Sequence, residues 1–251
     1  MYWFNATIGG KPYIAKANIT TATMAGKYYQ TTVKMATVGD AILSDGKFAT
    51  KGTSGKQAVI AYVGTVDKYF NHFLAIALTD AGNCGWSDVA TNVNTYAAAH
   101  AITICGTTYN TNAIDNKCYD KTNSSGVITT PPTALVKGWR LPSVTDWRYV
   151  FSGFTDSSGA GTRPGLPSGV LPDDSGGGTN EEPPSPYLTA INDACGNGAL
   201  QADHYWSSSE NPAENPNEES RQMFGYDFKH KIFNVLGKNS DNGPVRAVFA
   251  Y

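Results

Sequence analysis

The sequence predicts an α+β protein of mixed, mostly antiparallel sheets, two main helices and long irregular loops. Two observations carry the α+β part. Short apolar runs of strand length crowd both ends of the 251-residue chain, and helix-like segments are gathered between them instead of alternating with them. A long stretch rich in Gly, Pro and Ser then separates the second helix from the final strands.

Residues 1–37 hold two strand-like pieces, KPYIAKANIT and GKYYQTTVKM, punctuated by Gly9, Gly10 and Gly26. They read as a β-hairpin or as the tail of a preceding β domain, and residues 38–251 as the main domain. VGDAILSDGKFAT places Ser44, Asp45 and Gly46 in a turn between two short strands. KQAVIAYVGTV and HFLAIALTDAG are strongly apolar and of strand length, which suits central strands buried on both faces.

Helical spacing of Val93, Tyr96, Ala97, His100, Ala101 and Ile104 predicts a first helix from Asn92 to Cys105, with Gly106 as its stop. His100 lies on its apolar face, where a satisfied, partly buried imidazole is expected. A second helix starts in LPSVTDWRYVFSG: Ser143 caps it, Asp146 stands at the capping-box position, Trp147, Val150 and Phe151 share a face, and Gly153 ends it. Residues 156–186 carry 7 Gly, 6 Pro and 5 Ser, a composition unable to build its own packed element, so they form an insertion running over the surface. PYLTAINDACG gives a short third helix ending at Gly196. HYWSSS, MFGYDF, KIFNVLG and VRAVFAY are the closing strands, with Lys229, His230 and Lys231 near a hairpin turn.

Composition narrows the function. Charged residues are only 16% and the net charge is −2, so the chain lacks the basic footprint of a nucleic-acid or anionic-lipid binder. No apolar run approaches the roughly 18 residues of a membrane span, and MYWFNATIGG is unlike a signal peptide. An export signal and anchor are therefore expected outside this chain. Cys84, Cys105, Cys118 and Cys195 contain no CxxC pair and no zinc spacing with the four histidines. Either two disulfides or four thiols fit, and Cys105 with Cys118 could close the loop between them.

The ordered set GWRLPSVTDWRYVF, YWSSSE and terminal VRAVFAY resembles the C-type-lectin-like fold of bacterial proteins. That group includes formylglycine-generating enzymes, Lcl-type domains and the variable proteins targeted by diversity-generating retroelements. VGDAILSDGKFATKGTSGKQAVIAYVG, HFLAIALTD and Trp86 look like the opening of such domains in bacterial cell-surface proteins. GKYYQTTVKM looks like the last strand of a fimbrillin-like module. Independently of that likeness, Trp139 and Trp206 are expected in the core, and GWRLPS reads as a strand-to-helix junction. Arg140 and Arg246 read as solvated strand charges or local ion pairs, with a structural role within the fold as the other reading.

Among retroelement-diversified proteins the changed positions lie between the YW motif and the closing strand, and adenine-directed mutagenesis favours Asn codons. The interval here is Asn-rich, although Asn is also a common turn residue. The resemblance thus implies a ligand surface over residues of about 207–243. Its candidate contacts are Asn211, Glu214, Asn215, Asn217, Glu218, Ser220, Gln222, Tyr226, Asp227, His230, Asn234, Lys238, Asn239 and Asp241. Phe224, Tyr226 and Phe228 share one strand face, displayed or core; in the second case Asp227, Lys229 and Lys231 point outward.

No catalytic residues are assigned. Nothing after Cys195 is cysteine, so the terminal cysteine pair of a formylglycine-generating enzyme is missing. His204 lies near Ser207, Ser208 and Ser209, but no Gly-rich nucleophile turn surrounds them. No cofactor or metal is assigned either. ENPNEE offers Glu214, Asn217, Glu218 and Glu219 as oxygen ligands for calcium, yet no Trp-Asn-Asp counterpart follows, which favours a plain acidic loop. The expectation is a non-enzymatic, cell-surface or extracellular protein that binds a protein or glycan on another cell, phage or host surface. The alternatives are a subunit of a fimbria-like assembly and a catalytically altered relative of the formylglycine-generating enzymes.

Overall fold

The structure, a computed structural model, describes residues 1–17, 32–114, 119–122, 128–154, 186–196, 200–201, 203–210, 222–228, 232–238 and 241–251. The elements in chain order are β1 (Tyr2–Ile8), β2 (Lys11–Ala17), β3 (Ala41–Leu43), β4 (Phe48–Ala49), β5 (Lys56–Val63), β6 (Phe73–Ala77), β7 (Gly82–Gly85) and α1 (Val89–Ala99). Then come β8 (Ile102–Ile104), β9 (Thr107–Tyr109), β10 (Asp120–Thr122), β11 (Ile128–Thr130), β12 (Gly138–Arg140), α2 (Val144–Phe154) and α3 (Pro186–Cys195). The chain closes with β13 (His204–Glu210), β14 (Gln222–Asp227), β15 (Ile232–Gly237), β16 (Asn242–Val245) and β17 (Val248–Ala250). The protein is α+β, with three α-helices among the described residues and mostly antiparallel sheets.

Two larger sheets form the body. A six-stranded sheet runs in the order β12-β17-β6-β5-β3-β4, and its pairs are all antiparallel. Strands β5 and β6 lie in its middle, as their continuous apolar runs predict, and every residue of β6 is buried. A five-stranded sheet runs β11-β10-β13-β14-β15, antiparallel except where β10 pairs with β13. Helix α2 packs on β5 and β6 of the first sheet and on β13 and β14 of the second, so it bridges the two.

The bridge is aromatic. Trp147 and Phe151 of α2 meet Tyr205, Tyr226 and Phe228, with ring centroids 6.0 Å apart for Trp147–Tyr205, 5.6 Å for Trp147–Phe228 and 4.4 Å for Phe151–Tyr226. Such edge and tilted contacts each add about 0.5–1.5 kcal/mol beyond the area they bury. Trp139 and Trp206 are fully buried as expected, and their indole N–H groups donate to the carbonyls of His100 (3.0 Å) and Cys84 (2.9 Å).

The start of α2 follows the sequence closely. The Asp146 N–H donates to Ser143 Oγ and the Ser143 N–H to Asp146 Oδ2, both at 3.0 Å, which is a reciprocal capping box. Its end does not. Gly153 lies inside the helix, where a Cβ would stand 1.7 Å from the Ala61 carbonyl oxygen of β5. The glycine permits contact between helix and sheet and does not stop the helix. Gly153→Ala should therefore lower stability by roughly 1–3 kcal/mol or more, the cost of overpacking. Helix propensity alone would instead raise it by about 1 kcal/mol. The sign of the change in urea midpoint separates the two.

The first helix is shorter than predicted. It ends at Ala99, and His100 caps it with its ring stacked on Tyr96 at 3.9 Å between centroids. Ile102–Ile104 is a strand, and Cys105 and Gly106, at φ of 55° and 77°, form the two-residue turn into β9. The run ITI is β-branched at each position, which favours a strand after the helix. Gly106 is thus a hairpin residue and not a helix stop. Helix α3 ends where expected, with Gly196 at φ 87° donating its N–H to the Asn192 carbonyl at 2.9 Å.

Other expectations are corrected by burial. Cys105 is a free thiol whose Sγ lies 3.3 Å from the Tyr251 hydroxyl, so the loop bridge to Cys118 is not formed; Cys84 and Cys195 are also free. Of the two readings for Arg140 and Arg246 the ion pair holds and the solvated charge does not: both are paired and fully buried. Arg246 Nε pairs with Asp80 Oδ1 at 2.9 Å, while its Nη1 donates to the Ala77 carbonyl at 3.2 Å. The hairpin β1–β2 joins the body through Ile14, which exchanges backbone hydrogen bonds with Ala36 at 2.8 and 2.7 Å, and both residues belong to the main core. Most of the insertion at 156–186, together with Lys229 and Lys231, lies outside the described residues.

Candidate functional site

The polar segment of 211–221 leaves β13 after Glu210 and enters β14 at Gln222. These strands are neighbours, and Glu210 pairs with Met223 across the ladder. The scaffold that flanks the segment in sequence is closed. Tyr205 to Ser209 and Met223 to Asp227 are buried throughout, so both faces of each strand are covered.

Three charged side chains surround the departure point. Glu210 Oε1 is 3.2 Å from Lys238 Nζ, and its Oε2 is 3.3 Å from Lys121 Nζ. Lys121 is half-exposed, whereas Glu210 and Lys238 are mostly covered. Lys238 Nζ also lies 5.7 Å from the centre of the Trp86 ring, which in turn rests against Trp206 at 5.4 Å. The result is a rim of alternating charge backed by two tryptophans, a combination of fixed aromatic area and adaptable polar groups that suits recognition.

Under the rim lies a buried polar network. Asp120 of β10 accepts a hydrogen bond from the Ser209 hydroxyl through Oδ1 and one from the Tyr69 hydroxyl through Oδ2, the latter at 2.8 Å. Ser209 Oγ accepts in turn from the Val144 N–H at 2.8 Å, tying β13 to the start of α2. Burial pushes the Asp120 carboxyl up to about 6, with the two hydroxyl donors opposing that rise. Alongside, Arg140 grips Asp146 with Nη2 on Oδ1 at 2.7 Å and Nε on Oδ2 at 3.2 Å. Its remaining donors reach the carbonyls of Val136 (2.8 Å) and Tyr69 (3.0 Å), and its guanidinium stacks 4.4 Å from the Tyr119 ring centre.

The structure divides the candidate contacts. Tyr226 and Asp227 are fully buried and cannot face a ligand: Tyr226 packs on Phe151, and Asp227 Oδ2 holds His204 Nε2 at 2.9 Å. Phe224, Tyr226 and Phe228 are thus core residues, and Asp227 does not point outward, because this strand is covered on both faces. Lys238 stands at the rim. Asp241, half-buried, accepts the Gly237 N–H through Oδ2 at 2.5 Å and so closes the turn after β15. Gln222 and Asn234 lie in β14 and β15. Asn211, Glu214, Asn215, Asn217, Glu218, Ser220, His230 and Asn239 lie outside the described residues, as does the ENPNEE stretch considered for calcium.

Glu210, Lys121 and Trp86 were missed as rim residues by sequence reasoning. Glu210 closes the YWSSSE motif, which was a usable signal; Lys121 sits in a three-residue strand without a legible pattern. No described group of three or more His, Cys, Asp or Glu residues is arranged to hold a metal ion. The Ser207, Ser208 and Ser209 side chains are all buried, and burial pushes the Cys84 and Cys195 thiols up, away from the reactive thiolate. No described helix is long and apolar enough to cross a membrane. No family model and no curated protein matches the chain.

Proposed function

We propose that the chain is a cell-surface or extracellular ligand-binding protein of C-type-lectin-like fold, without enzymatic activity, whose ligand is a protein or glycan on another cell, phage or host surface. The observation that supports this reading most is the closed scaffold at both ends of 211–221: the two adjacent strands that this stretch joins are buried on both faces and buttressed by α2. The Asn-rich composition of the interval accords with diversification by a retroelement.

Two measurements test the reading. The purified chain is applied to a glycan array and to a panel of envelope proteins, then compared with Lys121→Glu and Glu210→Lys variants. Either reversal should reduce capture at least tenfold; Lys121→Glu should also leave the thermal midpoint within a few degrees, since the pair of the half-exposed Lys121 contributes about 1 kcal/mol or less, whereas Glu210→Lys, at a mostly covered position, is scored as capture per folded molecule. Capture by none of the probes, or capture indifferent to both reversals, counts against the site. Diversification is checked in the genome, where a near-identical repeat differing only at adenines and an adjacent reverse transcriptase are expected; a locus lacking both removes that part of the proposal.

A further inference from the structure

We propose that β1 is a self-complementary edge through which two copies of this chain pair, antiparallel and centred on Asn5. Among the described residues β1 pairs with β2 alone, and β2 is already bridged on its far side through Ile14 and Ala36. Among these residues the outer edge of β1 is therefore an open row of backbone donors and acceptors. Edge strands are ordinarily blunted by charge, proline or a bulge. YWFNATI contains no charge and no proline, and its register with β2 is unbroken.

The groups on that edge follow from the turn. Gly9 and Gly10, at φ of 58° and 78°, make a two-residue hairpin turn, which fixes Ile8 and Lys11 as a hydrogen-bonded pair. Alternation then directs the backbone groups of Tyr2, Phe4, Ala6 and Ile8 toward β2, and those of Trp3, Asn5 and Thr7 outward. A two-fold axis at Asn5 sets Asn5 against the partner's Asn5 and Trp3 against the partner's Thr7, so each outward group meets a complementary one. A register shifted by one residue would oppose groups that point away from each other.

The side chains agree with this register. Trp3 turns inward and stacks on His72 at 4.3 Å. Tyr2, Phe4 and Ile8 turn outward and are exposed by 52%, 41% and 54%. In the proposed pair Tyr2 lies beside the partner's Ile8 and Phe4 beside the partner's Ala6, as non-hydrogen-bonded neighbours with closely spaced side chains. Uncharged strands also pair with their own kind without like-charge repulsion.

The available area sets the strength. With Met1 included, the exposed apolar side chains offer roughly 400 Å² per copy, so the pair covers at most about 800 Å², short of the 1,200 Å² of stable interfaces. The dimer is accordingly weak and concentration-dependent. Pairing of β1 with β1 is two-fold and uses up that edge in both copies, so it closes after two copies and yields no filament.

Sedimentation velocity from low to high micromolar protein should show a monomer–dimer equilibrium. Asn5→Pro removes an outward N–H at the axis without touching the hydrogen bonds to β2, and should weaken the dimer about tenfold through two lost hydrogen bonds. Phe4→Lys, which places charge in the outward row, should do likewise and keeps the test valid if the proline variant misfolds. A chain that stays monomeric at every concentration, a dimer indifferent to Phe4→Lys, or open-ended association would overturn the proposal.

Discussion

Asp146→Ala should cost about 3–5 kcal/mol of unfolding free energy in urea denaturation, because it leaves the guanidinium of Arg140 buried without its counter-ion. Both side chains are fully covered, and two hydrogen bonds join them in a planar fork. The same carboxylate closes the capping box with Ser143. Ser143→Ala separates the two roles, since it removes the cap while sparing the ion pair, and should cost only about 1 kcal/mol. Replacing Arg140 and Asp146 together by Met and Leu should recover part of the loss. Recovery is incomplete because the carbonyls of Val136 and Tyr69 then lose the donors they now share, at about 1–3 kcal/mol for each buried acceptor left unpaired. A cost below about 1 kcal/mol for Asp146→Ala would show that the pair is not a fastening of this fold.

Asp120→Asn should have the opposite sign at neutral pH. The carboxyl titrates near 6 in the folded protein, above its ordinary value of 3.8, so the folded state favours the protonated form. That preference costs nothing below the ordinary value. The cost grows as pH rises from about 4 toward 6 and is complete above it, where it approaches about 3 kcal/mol for a shift of this size. The stability difference between wild type and variant should therefore change by about 1–3 kcal/mol across this window, the variant gaining relative to wild type as pH rises. Asparagine keeps an acceptor for Tyr69 or Ser209 but not for both, which is why the gain falls short of the full cost. A difference that is flat from pH 4 to 7 would mean that Asp120 stays ionised throughout.

How far the sequence reached can be judged from these residues. Ser143 and Asp146 sit three apart beside an apolar face, and a cap needs nothing beyond that local spacing, so the start of α2 was legible. The runs of β5 and β6 were legible because a strand covered on both faces has no polar side to hide. For Arg140 an ion pair was legible but its burial was not, for the converse reason: that burial depends on Asp146, Tyr69, Val136 and Tyr119 arriving from different parts of the chain. Tyr226 and Asp227 alternate as a half-exposed strand would, yet α2 covers one face, and His204 on the paired strand takes the carboxylate of Asp227. Lys238 was legible as a rim residue, but Lys121 and Glu210 escaped notice because they meet only once β10 has paired with β13.

The rung between Glu210 and Met223 also sets what the molecule can carry. Opposed strands stand about 5 Å apart, so the segment between these residues starts and finishes at almost the same place. Closing a loop whose ends are already pinned costs only about 0.6 kcal/mol for each doubling of its length. A foreign peptide spliced between Glu210 and Gln222 would thus strain neither strand, and the protein offers itself as a frame for grafted cargo whose length is nearly free to choose.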